Sequence, residues 1–330
     1  MHILIYFPVR LPVTRYGGIE RVIWGLGKAL VRMGYRVTYL AGAGSTCDFA
    51  ACLAYDPTRP LAQQIPADAD LVHLHALPQG EELTRPYLYT EHTNGSGGRP
   101  LPLNTVFLSR NHAERHGAET FVYNGLEWSD YGVPNWDTPR RYFHFLGNAA
   151  WRVKNVRGAI EVVRGMHGER LMVLGGTRLN IKMGFRLTLS PKIHFAGMVG
   201  GEEKLRLLNG SKGLIFPVRW HEPFGLAVIE SLYFGAPVFA TPYGSLSELV
   251  TSEVGFCSPY CSALREAARH AEAFSRQRCH DYARELFSAD RMAREYLHCY
   301  ERVLNGESLQ KTHPVLRRAE GEERFLPWYA

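Results

Sequence analysis

The stretch His221-Glu222-Pro223-Phe224-Gly225-Leu226-Ala227-Val228-Ile229-Glu230 sets two glutamates eight residues apart around a proline, a glycine and an apolar run. Ser231-Leu232-Tyr233-Phe234-Gly235-Ala236-Pro237-Val238-Phe239-Ala240 continues it as a helix end, a glycine stop and a buried strand. Pro223 suits the first turn of a helix, where a missing N–H costs nothing. Phe224, Gly225 and Leu226 are then expected to present backbone amides to phosphate or to sugar hydroxyls. Glu222 lies in the loop before them, and Glu230 about a turn and a half inside the helix. The two acids cannot share one helical face. They can reach opposite ends of one elongated ligand, with hydroxyls at either end and phosphates between, which is the shape of a nucleotide sugar.

At 330 residues the chain suits two domains of about 130 to 180 residues each. Hydrophobic content of 45% and charged content of 21% are ordinary for a soluble globular protein. No run approaches the roughly 18 apolar residues of a membrane span, and Met1-His2 leads straight into Ile3-Leu4-Ile5-Tyr6-Phe7, a first buried strand and not a signal peptide. The six cysteines show no Cys-x2-Cys pair and no zinc spacing, so reduced thiols in a cytoplasm are expected. Lys plus Arg exceeds Asp plus Glu, 38 against 32. That excess favours an anionic ligand or weak peripheral contact with an acidic inner membrane leaflet, although no amphipathic anchor stands out. No basic run interleaved with aromatics points to nucleic acid.

Short apolar runs alternate with amphipathic stretches, which predicts an α/β architecture with parallel sheets. Strands are expected near 2–8, 36–41, 70–75, 86–91, 105–109 and 120–123, with helices near 18–33 and 109–117. The second half predicts strands near 142–146, 170–174, 193–196, 213–216 and 237–240. Its helices are expected near 153–167, 201–209, 225–234 and, in pieces, 262–304. The turn-rich segment Asp130–Pro139 reads as a linker, giving domains 1–137 and 138–304 with a tail at 305–330.

The Glu-x7-Glu element followed by Gly235-Ala236-Pro237-Val238 resembles the signature of retaining glycosyltransferases of the GT-B fold, in the large family 4. The resemblance covers roughly residues 2–300. It implies two Rossmann-like doubly wound domains facing each other across a cleft, an acceptor side in the first half and a nucleotide-sugar donor side in the second. It also implies metal-independent transfer to the hydroxyl of a glycan, lipid-linked or small-molecule acceptor, with no cofactor beyond the donor. The C-terminal helix would cross back onto the N-terminal domain, and Phe325-Leu326-Pro327-Trp328-Tyr329 could dock there.

On the same resemblance, Glu230 holds ribose hydroxyls and Glu222 the hydroxyls of the donated sugar. The amides of Phe224, Gly225 and Leu226 take the sugar and phosphate. Lys154 matches the family lysine that stabilises the departing diphosphate, but Asn148 stands where the family has arginine. Asn148 can donate a hydrogen bond without neutralising charge, so Arg152, nearby with a planar fork, is expected to substitute. His92, at a strand end before Gly95-Ser96-Gly97-Gly98, would orient the sugar. Gly17 and Gly18, in the loop Arg15–Arg21 after the first strand, match the family's first glycine loop. Met198 and Val199 would read the base. Gly244-Ser245 replaces a common Gly-Gly. Ser109, as a helix cap, and Asn124-Gly125, as a turn, match two further elements of little functional weight.

Competing signals are weaker. Asp68-Ala69-Asp70 imitates a metal-binding Asp-x-Asp but precedes its strand, and reads as solvated loop acids. Gly42-Ala43-Gly44 lacks the third glycine of a dinucleotide loop, since Cys47 stands there. His112 and His116 share a helix face without a third ligand and read as surface residues. His73 and His75 share one face of a strand at a partly buried end, with His75 a cleft-edge residue at most. Two other functions stay open: an epimerase or phosphorylase on the same fold, and a non-catalytic module that keeps the donor pocket.

Overall fold

A computed structural model describes residues 1–12, 17–81, 83–95, 98–181, 183–318 and 323–330. Arg15 and Tyr16 of the first glycine loop, and Ser96 and Gly97 of the loop after His92, lie outside the described residues. The chain forms two compact units, one built from residues up to 130 together with 287–318, the other from residues 131–286 and the C-terminal segment.

The first unit runs β1 (His2–Phe7), α1 (Gly18–Arg32), β2 (Arg36–Ala41), β3 (Ala51–Ala54), β4 (Leu71–Leu74), β5 (Tyr87–Thr90), β6 (Thr105–Val106) and α2 (Arg110–Glu114). Its six strands pair in parallel in the order β3-β2-β1-β4-β5-β6. Ile3, Leu4 and Ile5 are all fully buried, as a strand covered on both faces requires. Helix α1 buries Val22, Ile23, Leu26, Ala29 and Leu30, the spacing of a single apolar stripe. A Cβ at Gly27 would fall 2.0 Å from the Tyr39 hydroxyl, so glycine there lets that ring pack against the helix. The hydroxyl donates to the Ile23 and Trp24 carbonyls at 3.3 and 3.1 Å.

The second unit runs β7 (Tyr142–Leu146), α3 (Val156–Arg164), β8 (Leu171–Leu174), β9 (Leu179–Asn180), β10 (Arg186–Leu187), β11 (Ile193–Gly197), α4 (Gly201–Asn209) and β12 (Ser211–Phe216). It continues with α5 (Leu226–Tyr233), β13 (Val238–Ala240), α6 (Leu246–Leu249), β14 (Gly255–Cys257), α7 (Cys261–Arg269) and α8 (Arg276–Leu286). The sheet is again parallel, in the order β11-β8-β7-β12-β13-β14, and β9 and β10 make a separate antiparallel hairpin. Phe143, Phe145, Phe216 and Phe239 fill the sheet's core. The strand order is the same in both units, and both are Rossmann-like. In each, the order reverses beside the first strand, between β1 and β4 and between β7 and β12, where open α/β sheets bind ligands beyond their carboxyl ends.

Several expectations change. Residues 120–123 form no strand, only a bridge from Phe121 to Phe107. The helix expected at 153–167 is a 3-10 turn at Arg152–Lys154 and then α3, divided where Asn155 takes a left-handed φ of 53°. The edge strand β3, the β9–β10 hairpin and β14 are additions. The units also divide elsewhere than at 137 and 304. The expected linker packs into the second unit, since the Tyr233 hydroxyl donates to the Gly132 carbonyl at 2.7 Å and Arg276 donates to the Trp136 carbonyl at 2.9 Å.

Helix α9 (Ala289–Leu304) belongs to the first unit. There Tyr300 Oη lies 2.8 Å from His73 Nδ1, and Tyr296 Oη lies 2.9 Å from Thr90 Oγ1. The chain does cross back, but Phe325–Tyr329 docks on the second unit, not the first. Leu326 donates to the Arg219 carbonyl at 2.9 Å, and Cys261 donates to the Tyr329 carbonyl at 2.7 Å. Among the described residues no helix is long and apolar enough to cross a membrane.

Candidate active site

In the second unit the loops leaving β7 and β12 cross at the point of strand-order reversal. Arg219 N–H donates to the Val153 carbonyl at 2.7 Å, and Asn155 Nδ2 donates to the Pro217 carbonyl at 2.9 Å. That crossing brings Lys154 and Glu222 together, with Nζ 2.6 Å from Oε2. Trp220 Nε1 donates to the same oxygen at 2.8 Å. The ammonium lies 4.8 Å from the Trp220 ring centroid and 5.3 Å from that of Phe216, so two aromatic faces and one carboxylate hold it.

The Glu222 loop is fixed by the segment after β13. Gly244 bridges Glu222, and Ser245 N–H donates to the Glu222 carbonyl at 2.9 Å while its Oγ donates to the Phe224 carbonyl at 2.5 Å. Gly244 has φ 66°, and a Cβ there would lie 2.3 Å from both N and O of Glu222. Backbone contact this close explains the glycine. Ser245, unlike a second glycine, ties the loop through its hydroxyl.

Helix α5 begins at Leu226, with Gly225 as its N-cap at φ 94°. Pro223 therefore precedes the helix instead of occupying its first turn, and Phe224 buries its ring. Leu226 and Ala227 open the helix, where amides have no carbonyl partner inside it. Glu230 is more enclosed than the sequence suggests. Its Oε1 accepts from Lys204 Nζ and from the Tyr131 hydroxyl, each at 2.6 Å, with both charged side chains buried. Neither Lys204 nor Tyr131 is apparent from motif spacing. A signal exists for Lys204, which stands in the inward stripe of α4 with Leu207 and Leu208, a place that a lysine takes only with a partner.

Asn148 shapes its turn, its Oδ1 accepting from Ala150 N–H at 3.0 Å. Met198 is exposed and Val199 half-buried just beyond β11. Arg152 does not sit with Lys154. Its guanidinium stacks on Phe325, 4.7 Å from the centroid, in a cavity whose walls include neither Lys154 nor Glu222. Residues two apart on a 3-10 turn point to different sides, which separates the two cations.

In the first unit Gly17 caps α1 with extended backbone, its carbonyl accepting from Arg21 Nε at 2.7 Å, and Gly18 opens the helix. His92 follows β5, and its Nε2 lies 2.8 Å from His75 Nδ1. Burial depresses His92 to about 3, so the ring is neutral near pH 7. Its Nδ1 and the Nε2 of His75 have no protein partner among the described residues, and both side chains line a cavity of about 420 Å³ that also holds Glu91 and Arg99. His112 and His116 are buried, not on the surface. The first lies 2.7 Å from the Thr93 carbonyl, and His116 Nδ1 lies 2.8 Å from the His112 carbonyl. Asp68 and Asp70 are exposed loop acids, as expected.

Residues 128–286 match the family described as glycosyl transferases group 1, so the second unit carries a glycosyltransferase-family domain. A GDP-mannose-dependent alpha-(1-6)-phosphatidylinositol dimannoside mannosyltransferase of Mycobacterium tuberculosis is 29% identical over 133 residues, 39% of this chain and 34% of its own. The chain thus spans about a third of the length of that curated relative. Among solved structures, AviGT4, a glycosyltransferase involved in Avilamycin A biosynthesis, superposes with a TM-score of 0.76 at 22% identity, covering 92% of this chain and 98% of its own. Sucrose-phosphate synthase from Thermosynechococcus elongatus gives 0.70 at 16% identity, covering 93% and 100%. These likenesses agree with the two parallel-sheet units of a GT-B fold.

Proposed function

We propose, from a second unit that carries a glycosyltransferase group 1 domain, that this chain moves a sugar from a nucleotide diphosphate to an acceptor hydroxyl. Transfer retains the anomeric configuration, needs no metal ion and takes place in the cytoplasm. The observation that carries the reading is the Lys154–Glu222 pair, 2.6 Å apart at the strand-order reversal beside the start of α5.

Donor phosphate draws the Lys154 ammonium from Glu222, and the released carboxylate accepts from hydroxyls of the donated sugar. As the bond from the anomeric carbon to phosphate oxygen breaks, negative charge grows on the leaving diphosphate. Lys154 and the first amides of α5 stabilise that charge. The acceptor oxygen bonds to the same face of the anomeric carbon, and its proton passes to the departing phosphate. Glu230, already held by Lys204 and Tyr131, takes the ribose hydroxyls, while Met198 and Val199 lie against the base. The acceptor is a glycan, a lipid-linked saccharide or a small molecule.

The test is a thermal-shift screen of UDP-, GDP-, ADP- and TDP-sugars with GDP-mannose first, suggested by the mycobacterial relative, followed by turnover with acceptors in excess EDTA. Donor binding raises Tm with affinity. Lys154→Ala and Glu222→Gln should each lower turnover by about a hundredfold or more, and His92→Ala should lower it with the donor shift retained. NMR of the product gives the anomeric outcome. A donor altered without any acceptor would indicate an epimerase, and donor binding without turnover a binding module.

A further inference from the structure

The β9–β10 hairpin is amphipathic with its faces exchanged. From Leu179 to Leu189 every second residue is large and apolar, namely Leu179, Ile181, Met183, Phe185, Leu187 and Leu189, and these are between 45% and 80% exposed. Of the residues between them, Arg186 and Thr188 are buried. A half-covered hairpin in water shows the opposite arrangement, apolar residues inward and polar ones outward.

The inward face accounts for itself. Arg186 donates to Thr188 Oγ1 at 3.1 Å and to the Thr177 carbonyl at 2.9 Å, and its guanidinium lies 4.8 Å from the Phe195 ring centroid. The outward face has no such account among the described residues. Its six side chains lie on one short excursion from the sheet, too many to be isolated surface residues.

Cations surround the hairpin's base. Arg178 donates to the Thr188 and Ser190 carbonyls, and Arg157 to the Phe185 carbonyl. Arg152, Arg157, Arg186 and Arg219 line a cavity of about 350 Å³ together with Asn180, Met183 and Gly184 of the hairpin, and no carboxylate stands in its wall. Among the described residues none of these four arginines pairs with a carboxylate. Burial, and then the Arg157 charge, lowers the Arg186 guanidinium below its ordinary value. Glu161 shares a neighbouring groove with Arg157 and Arg186 but pairs with neither, so the cluster makes no ion pair of its own among the described residues.

We propose that the β9–β10 hairpin is a membrane-docking element that lays its apolar face into the interface of an anionic bilayer and takes a lipid phosphate among Arg152, Arg157, Arg186 and Arg219. An apolar face edged by guanidinium groups complements acyl chains beneath phosphate headgroups, where apolar burial and charge attraction act together. The planar fork of arginine suits phosphate oxygens. The inference stands on the hairpin and the arginines at its base and does not require the sugar transfer proposed above.

The full chain is sedimented with vesicles of phosphatidylcholine alone and with vesicles containing phosphatidylglycerol. It should bind the anionic vesicles, more weakly as salt rises, and bind the neutral ones little. The triple variant Ile181→Ser, Phe185→Ser, Leu189→Ser should lose about tenfold or more of that binding, and Arg152→Gln with Arg157→Gln should lessen both the binding and its salt dependence. All five side chains are exposed, so circular dichroism and Tm should match those of the wild type. The donor thermal shift should be unchanged in the triple variant. The proposal is overturned if the wild type binds neither vesicle, or if the triple variant binds undiminished. It is equally overturned if light scattering finds an oligomer that the triple variant dissociates while vesicles are ignored, which would make the face a contact between copies.

Discussion

Lys154 and Glu222 hold each other before any ligand arrives, so removing either leaves an uncompensated charge in a place with little water. Lys154→Ala should cost about 3 kcal/mol of stability. Lys154→Met combined with Glu222→Gln should cost much less while staying inactive, and denaturant melts beside turnover assays separate the two effects. Gly244→Ala acts on the same place from behind. A methyl 2.3 Å from the Glu222 backbone, on a residue at φ 66°, should displace the loop, cost about 2 kcal/mol and reduce turnover through Glu222. The two acids can be picked out in the sequence because their spacing is local. Their cations cannot all be, since Lys204 reaches Glu230 only when the fold brings α4 within side-chain reach of α5, and Arg152 is carried away from Lys154 by a turn of the backbone.

Among the elements, β1 and β7 emerge from apolar runs alone, because a strand buried on both faces needs little else to mark it. β3 does not, for its four residues are mostly exposed and weakly apolar, and β14 has only three residues. The β9–β10 hairpin escapes for another reason: its alternation is plain, but the usual rule assigns the apolar side to the core. The buried histidines bear on a different property. His112 on α2 and His144 on β7 are each pushed down to about 3, by burial first and then by a neighbouring basic side chain, His116 for the one and Arg140 for the other, and are therefore neutral in the folded protein. In the unfolded chain they titrate near 6.5, so between about pH 6.5 and 3 the unfolded state binds more protons. Stability is insensitive to these groups above that range and falls as pH drops through it, by about 1.4 kcal/mol per pH unit for each histidine. Thermal melts between pH 7 and 5 should show a steady loss of Tm. His144→Asn should lessen the slope if the variant folds.

At the scale of the whole molecule, helical periodicity announces α9 and its buried face but not which unit that face covers. Tyr296 and Tyr300 decide it through Thr90 and His73. A chain ending at Leu286 should leave the first unit without its own last helix. Its amide spectrum should collapse, whereas signals from residues 131–286 should persist in large part. The ribosome releases β1 through β6 long before α9 exists, and residues 131–286 of the second unit are made in between. The nascent first unit must wait, incomplete, while the part born later closes around itself. The sheet made first is therefore among the last to be covered, and a holdase that shields an early sheet would matter more to this chain than one that meets the finished end.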